Sequence, residues 1–592
     1  PDVEDSGFTD SPSNSLTNIP LYPEIGRSEF DSSAPVIPTG IPIYPETDAD
    51  ADAAAIPIYP AVESPSASPT SQSFPDAQSS PSPTIRSLQL IGANALTPEI
   101  ATALFRFQMN RPVSDRLLEQ GSFAIDQWYL DNGYSLSRVV GLMVDPSGIL
   151  IVEVAEPQVR QIAIRYVDDT GSPVNEDGQP IVGRTSEAFV LRELQLQPGD
   201  LFNQNEVIQD IRHLVGLGLF HNANVAVEVD EETPADPAVD VVYALEERLS
   251  RSFQASGGVS TELGLFAGVN YRDSNVRGQG DSIRLGTQVG SRGLVFSTGF
   301  THPYRDSQPN RLGYDINAFR STGQSLTFSD EVGVANGDDA RERQFGGGVA
   351  VMRPLGNWDA ELGLNYTRTS IRDESGDLAP QDEFGNDLTI SDSGIDDLVT
   401  VGFQLAQEQR VNPSNPNAGS VLSLSTEQSV PIGNGSLLMN RLRASYSEYV
   451  PVGLFNTGRL QNPEVFAFNI QAGTVLGDLP PYEAFNLGGS QSVRGYGRGD
   501  VGTGRHFAAA SAEYRFPVFG SVGGVLFTDF ASDLGSSNEV PGDPAGVRDK
   551  PGAGFGYGVG FRVGSPLGLI RADFGFNDQG DNRFHFGFGQ RF

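Results

Sequence analysis

The spacing of apolar and polar positions changes period along the chain. From Ser250 to Phe592 the period is two: short alternating stretches rich in Gly and aromatic residues are separated by Asp, Asn, Gly and Pro turns. In "GFGYGVGFRV" (554–563), Phe555, Tyr557, Val559, Phe561 and Val563 share one face, and four glycines and Arg562 occupy the other. In "LGLIRADFGF" (567–576), Ile570, Ala572, Phe574 and Phe576 oppose Leu569, Arg571 and Asp573. The sequence finishes on "NRFHFGFGQRF", where Phe584, Phe586, Phe588 and Phe592 oppose His585, Gly587, Gly589 and Arg591. Successive strand side chains point to opposite faces, so each segment has an apolar face and a small or charged one. Apolar-out and charged-in is the pattern of a membrane barrel with a wet lumen; a soluble barrel shows the reverse. Residues 250–592 accommodate about 16 antiparallel strands, an even number as bacterial barrels require.

Upstream the period alternates between 3.6 and two. "TIRSLQLIG" (84–92) reads as a strand, and "TPEIATALFRF" (97–107) as a helix with Thr97 as N-cap and Pro98 at its first position. "SDRLLEQGSFAIDQWYLDNGY" (114–134) sets Leu117, Leu118, Ile125, Trp128 and Tyr129 at helical spacing, with Gly133 as C-cap. "SRVVGLMVDPSGILIVEVAE" (137–156) gives two strands around Asp145-Pro146-Ser147-Gly148. The order β-α-α-β-β then repeats. "RQIAIRYVD" is a strand and "SEAFVLREL" a helix; "NQNEVIQDIRHLVGLGLF" is a helix with Asn203 and Glu206 as capping box; "NANVAVEVD" and "VDVVYALEE" close the set. Two tandem α+β modules, 85–157 and 158–249, each with an exposable sheet edge, suit peptide binding better than catalysis; a spacer role is the alternative.

Residues 1–84 hold 15 of the 40 prolines and much Ser, Ala and Asp. Such a segment buries too little apolar surface to offset its ordering entropy, so disorder is expected. Within it "IPLYPE" (19–24) recurs as "IPIYPE" (41–46) and "IPIYPA" (56–61). Tyr22, Tyr44 and Tyr59 then sit in extended, Pro-flanked stretches that a groove can read.

Bulk properties narrow the function. No uninterrupted apolar run approaches the roughly 18 residues of a spanning helix, a test blind to barrel strands. A net charge of −36 argues against nucleic acid, and of the 39 cations all but Lys550 are Arg. The absence of Cys fits an oxidising compartment. The chain begins at Pro1 and reads as a processed or trimmed product, any signal peptide being out of view. His213, His221, His302, His506 and His585 show no metal-ligand spacing, and "GLGLF" and "GYGRGD" lack the strand-loop-helix setting of nucleotide loops. No cofactor, metal or enzymatic activity is expected. "SDSGIDD" (391–397) reads as a solvated external loop.

The most specific stretch is "NLGGSQSVRGYGRGD" (486–500), a Gly-rich connection holding Val493-Arg494-Gly495-Tyr496. Downstream, "FAAASAEYRFPVFG" turns Glu513 and Arg515 inward, and "GGVLFTDFA" sets Phe527 and Asp529 on a common face. An Arg in a lumen can pair with a carboxylate and stack on an aromatic ring. This set resembles the BamA-like superfamily of outer-membrane insertases and translocators, in which a V/I-R-G-F/Y loop tip folds back and docks on an F-x-D strand. The resemblance spans 85–592 and implies that Arg494 docks on Phe527 and Asp529 with Glu513 as a further acidic contact. It also implies that Phe584, Phe586, Phe588 and Phe592 form the terminal strand signal and that the two modules are periplasmic POTRA domains. "DQWYLDNGYSLSRV" and the 183–220 stretch resemble the cyanobacterial branch. That branch usually carries three such domains and two are visible here: either the first was trimmed or residues 1–84 stand in its place. Two is also the count in two-partner-secretion transporters. The implied function is assembly of outer-membrane proteins at a seam between first and last strands, with a transporter of one dedicated exoprotein as the alternative. The implied partners are unfolded outer-membrane proteins, outer-membrane lipids and accessory periplasmic or lipoprotein subunits.

Overall fold

The change of period along the chain is a change of architecture. The structure, a computed structural model, describes residues 84–229, 238–260, 263–328, 332–413, 415–454, 463–565 and 568–592. The expected disorder of 1–84 and the docking role of Tyr22, Tyr44 and Tyr59 lie outside the described residues, apart from Thr84. The chain divides into two units, the tandem modules and the barrel.

The first module contains β1 (Ser87–Ile91), α1 (Pro98–Leu104), α2 (Asp115–Asp131), β2 (Arg138–Val144) and β3 (Ile149–Ala155). Thr97 caps α1 by accepting from the Ile100 amide, and Pro98 opens the helix. The sheet order is β1-β3-β2, with β1 parallel to β3. Ile125 and Tyr129 of α2 pack with Phe105 on Leu150 and Val152 of the central strand. The buried Glu156 carboxylate accepts from the amides of Asn94 (2.5 Å), Ala95 (3.1 Å) and Leu96 (3.3 Å) and from the Tyr129 hydroxyl (2.8 Å). The second module repeats the plan with β4 (Gln158–Val167), α3 (Glu187–Glu193), α4 (Gln204–Gly216), β5 (Phe220–Val229) and β6 (Ala238–Glu247), in sheet order β4-β6-β5. Asn203 caps α4 through the Asn205 amide at 2.9 Å. Each sheet keeps two edges, β1 and β2 in one and β4 and β5 in the other.

The barrel is a 16-stranded antiparallel sheet. Its first strands are β7 (Arg251–Ser260), β8 (Gly264–Val276), β9 (Asp281–Gly290), β10 (Leu294–His302) and β11 (Gly313–Gln324). Then come β12 (Arg341–Leu355), β13 (Trp358–Arg372), β14 (Ile395–Glu408), β15 (Gly419–Val430), β16 (Met439–Val452) and β17 (Glu464–Gly477). A small hairpin, β18 (Phe485–Leu487) and β19 (Gly502–Gly504), lies within the next connection. The wall closes with β20 (His506–Phe519), β21 (Val522–Ser532), β22 (Ala553–Ser565), β23 (Gly568–Asn577) and β24 (Asn582–Phe588). Outward aromatics such as Phe555, Tyr557 and Phe561 are exposed, whereas Arg562, Arg571 and Asp573 on the opposite parity are buried. At these strands the sheet thus turns its apolar face to lipid and its charges to the lumen. Long connections, 325–340, 373–394, 478–505 and 533–552, gather at one end; tight turns such as 356–357 and 520–521 lie at the other.

The sheet ends at β7 and β24, and among the described residues no ladder joins them. The terminal segment departs from expectation here. Phe584 is exposed on the outward face and Phe586 shares its parity, and the Phe588 backbone pairs with Ile570. Phe592 does not continue that face. At Gly589 the chain adopts φ +74°, a left-handed conformation that suits glycine, and the last residues turn into the lumen. The Phe592 ring packs on buried Tyr449, 6.4 Å between centroids, under the Arg515 guanidinium at 5.3 Å.

Candidate functional site

The connection 478–505 does not project away from the barrel. Its base is fixed on the inner wall and on the 325–340 connection: the Tyr482 hydroxyl donates to Asp396 (2.9 Å), Asn486 donates to Thr327 (3.0 Å), and Arg441 holds the Glu483 carbonyl (2.9 Å) and carboxylate. Beyond the β18–β19 hairpin the tip carries Val493, Arg494 and Tyr496, all buried.

Arg494 is fully enclosed, its side chain 0% exposed. Its Nε donates to Asp529 Oδ2 (2.7 Å) and its Nη2 to Asp529 Oδ1 (3.0 Å), a two-pronged pairing that only a planar guanidinium can make. Nη1 donates to Glu513 (2.7 Å) and to Asp573 (3.0 Å). The guanidinium carbon lies 3.5 Å from the centre of the Phe527 ring. β20 supplies Glu513, β21 supplies Phe527 and Asp529, and β23 supplies Asp573, each from its lumen face. Three carboxylates around one cation would repel, but Arg515 donates to Glu513 (2.9 Å), Arg562 pairs with Asp573 (2.5 Å), and Arg591 pairs with Asp529 (2.5 Å). The result is a four-arginine, three-carboxylate network out of contact with bulk water, where each pairing gains from the reduced dielectric.

The neighbours of Arg494 are held as firmly. The Gly495 amide donates to His585 Nε2 (3.0 Å), Asn577 donates to the Gly495 carbonyl (3.1 Å), and the Tyr496 hydroxyl donates to Asp578. Val493 and Tyr496 join an apolar cluster with Leu487, Val501 and Ala531. Inward glycines of β22 and β23 make the space. A Cβ at Gly556 would fall on the Arg494 carbonyl oxygen, and one at Gly575 would meet the Gly495 amide at 2.6 Å. The glycine face of "GFGYGVGFRV" is therefore the seat of the loop tip.

All seven loop-lock residues named from the sequence, Val493, Arg494, Gly495, Tyr496, Glu513, Phe527 and Asp529, come together in this site. Asp573, Arg562, His585, Asn577 and Arg591 belong to it as well and were not singled out. Their signal was present as polar side chains at lumen-facing positions of the last strands.

With this geometry in view, residues 275–592 match the Omp85 superfamily domain, more than half of the chain. The chain belongs to the Omp85 superfamily. Residues 180–248 match the POTRA domain, described as a surface antigen variable number repeat. The chain is 30% identical over 527 residues to outer envelope protein 80 of the chloroplast of Arabidopsis thaliana, covering 87% of this chain and 68% of that protein. Protein TOC75 of Pisum sativum chloroplasts is 27% identical over 518 residues, covering 81% and 62%. BamA from Haemophilus ducreyi lacking POTRA domains 1–3 superposes with a TM-score of 0.55 at 17% identity over 85% of this chain and 99% of that one, a likeness of fold. As an Omp85 barrel with POTRA domains, the protein resides in an outer membrane and belongs to a superfamily of protein insertion and translocation.

Proposed function

We propose that this Omp85 protein assembles other barrels. POTRA edges hold unfolded precursors by strand addition, and the seam between β7 and β24 templates their folding into the membrane. The observation that carries the reading is the unpaired seam. A closed barrel removes its edges, yet here the wall ends at two strands with no ladder between them among the described residues. β24 is 7 residues long beside wall strands of up to 15, so the seam offers a short pairing surface that an incoming strand can extend. Gly257-Gly258 in β7 lower the intrinsic pairing strength of the other lip. The work is done by exchange of backbone hydrogen bonds, without covalent chemistry, cofactor or nucleotide.

The chain has no cysteine of its own, so engineered pairs across β7 and β24 form the sole disulfide. Locking the seam is expected to stop assembly of precursor barrels while leaving the barrel fold intact; unimpaired assembly by the locked protein counts against a lateral seam. A second reading, export of one dedicated exoprotein through the lumen, rests on the presence of two modules in 85–249. Depletion separates the two: an assembly factor's loss lowers many barrel proteins, a transporter's loss one secreted partner.

A further inference from the structure

A second concentration of charge lies on the other side of the wall, away from the loop lock. The register of β11, β12 and β13 places Arg320, Arg341, Arg343, Arg368 and Arg372 on the outward face. They occupy three successive levels at the end bearing the long connections: Arg341 beside Arg372, then Arg343 between Thr322 and Ser370, then Arg368 and Arg320 on either side of Phe345. By the same parity every carboxylate of these strands, Asp315, Glu342, Asp359 and Glu361, points inward. Below these arginines the outward face is largely apolar as far as Arg353 near the opposite end of β12, with Ile316, Val349, Leu362 and Leu364 about half exposed.

These cations are poorly compensated. Arg368 is neutralised by Asp397, at 2.6 and 2.9 Å. Among the described residues Arg372 reaches only the Gly376 carbonyl (2.6 Å) and the Ser370 hydroxyl (3.2 Å), neither of them charged. Among the described residues Arg320 and Arg341 make no hydrogen bond or ion pair, and the Arg343 Nε is buried without an acceptor. In the ladder register Arg343 lies one level from the Arg341–Arg372 pair and one from Arg320 and Arg368. The acid Asp339 accepts from Gln324 (3.2 Å). Like charges opposed across a ladder destabilise it, the more so at a membrane boundary of low dielectric. Such a surface in a chain of net charge −36 calls for an anion that carries its own apolar part.

We propose that the outward face of β11–β13 binds an anionic lipid of the leaflet on the long-loop side. Arg320, Arg341, Arg343 and Arg372 hold its phosphate-type headgroup, and its chains lie along Phe345, Val349 and Leu364. Guanidinium forks match the oxygens of such a headgroup, and several arginines can share one. The strips of apolar and cationic side chains meet at Phe345, where headgroup gives way to acyl chain.

The test uses the full chain in detergent, offered phosphatidylglycerol or phosphatidylcholine and read by native mass spectrometry. Wild type is expected to retain phosphatidylglycerol about tenfold over phosphatidylcholine, the preference that 1.4 kcal/mol confers. The triple variant Arg320→Gln, Arg343→Gln, Arg372→Gln is expected to lose that preference while keeping its heat-modifiable mobility on gels. If the triple variant fails to fold, Arg341→Gln alone is read, with a partial loss expected. Equal retention of both lipids by wild type, or an undiminished preference in the folded glutamine variant, overturns the proposal. Displacement of phosphatidylglycerol by inorganic phosphate alone also overturns it, since that marks a free-anion site with no use for the acyl chain.

Discussion

Arg494 and Asp529 are joined by three hydrogen bonds: the Arg494 amide and Nε donate to Oδ2 (3.1 and 2.7 Å), and Nη2 donates to Oδ1 (3.0 Å). Backbone and side chain of one residue thus converge on one carboxylate, fixing the loop tip in position and orientation together. Removing one member of a buried charge pair costs roughly 3–5 kcal/mol because the other is stranded. Arg494→Ala is expected to loosen the loop and impair assembly more than it lowers barrel stability, since the wall ladders stay intact. Arg494→Lys is expected to rescue poorly, keeping the charge but losing the fork that faces Asp529 while lying on Phe527. A double-mutant cycle with Asp529→Ala should give a coupling above about 1 kcal/mol; additive effects would falsify the pairing.

Gly556→Ala probes the seat without touching a charge. The added methyl has to displace the backbone of Arg494, whereas the β21–β22–β23 pairing tolerates it. The expected outcome is a folded barrel whose 486–500 stretch becomes protease-sensitive. A variant as resistant as wild type would mean the tip can shift without leaving.

Arg591 tests how the terminal residues share Asp529. It donates to Asp529 (2.5 Å) and to the Ser492 carbonyl (2.5 Å), so it braces the loop from a second direction. Without it Asp529 still has Arg494 and the Ser511 hydroxyl (2.6 Å). Arg591→Ala is therefore expected to destabilise by about 1–3 kcal/mol, less than Arg494→Ala. Thermal unfolding of both variants in one detergent gives the ranking, and the reverse order refutes it.

Glu156 is the equivalent keystone of the first module. Its carboxylate satisfies three consecutive amides and a tyrosine hydroxyl. Glu156→Ala leaves the Leu96 amide and the Tyr129 hydroxyl buried and unpaired, at about 1–3 kcal/mol each before water or relaxation intervenes, and removes the acceptor of the more exposed Asn94 and Ala95 amides. Hydrogen exchange in the full chain should show protection lost at Asn94–Leu96 and across α2, and unchanged in the barrel; retained protection would show that the turn stands without it.

Much of this was readable from residue order, and the reasons are physical. A period of two with charges at Arg571 and Asp573 and aromatics at Phe574 and Phe576 has one membrane-compatible orientation, so strand faces follow directly. Arg494, Phe527 and Asp529 were legible because a loop and a strand each bring a short pattern of residues. Asp573 and His585 were not, because each is a single side chain that meets the tip from 79 and 90 residues away, a distance periodicity cannot bridge. The inward turn of Phe592 was missed for the opposite reason. The alternation runs unbroken through Arg591 and Phe592, and the backbone of Gly589 overrules it.

The partners of the loop tip also carry an order in time. Glu513, Asp529, Asp573 and His585 all lie downstream of Arg494 and are translated after it, His585 last. The tip has nowhere to settle until the hairpins that follow have reached the wall. A seated Arg494 is therefore a signature of completion: a chain cut short or stalled before its last strands still has the loop but not the full set of groups that receive it.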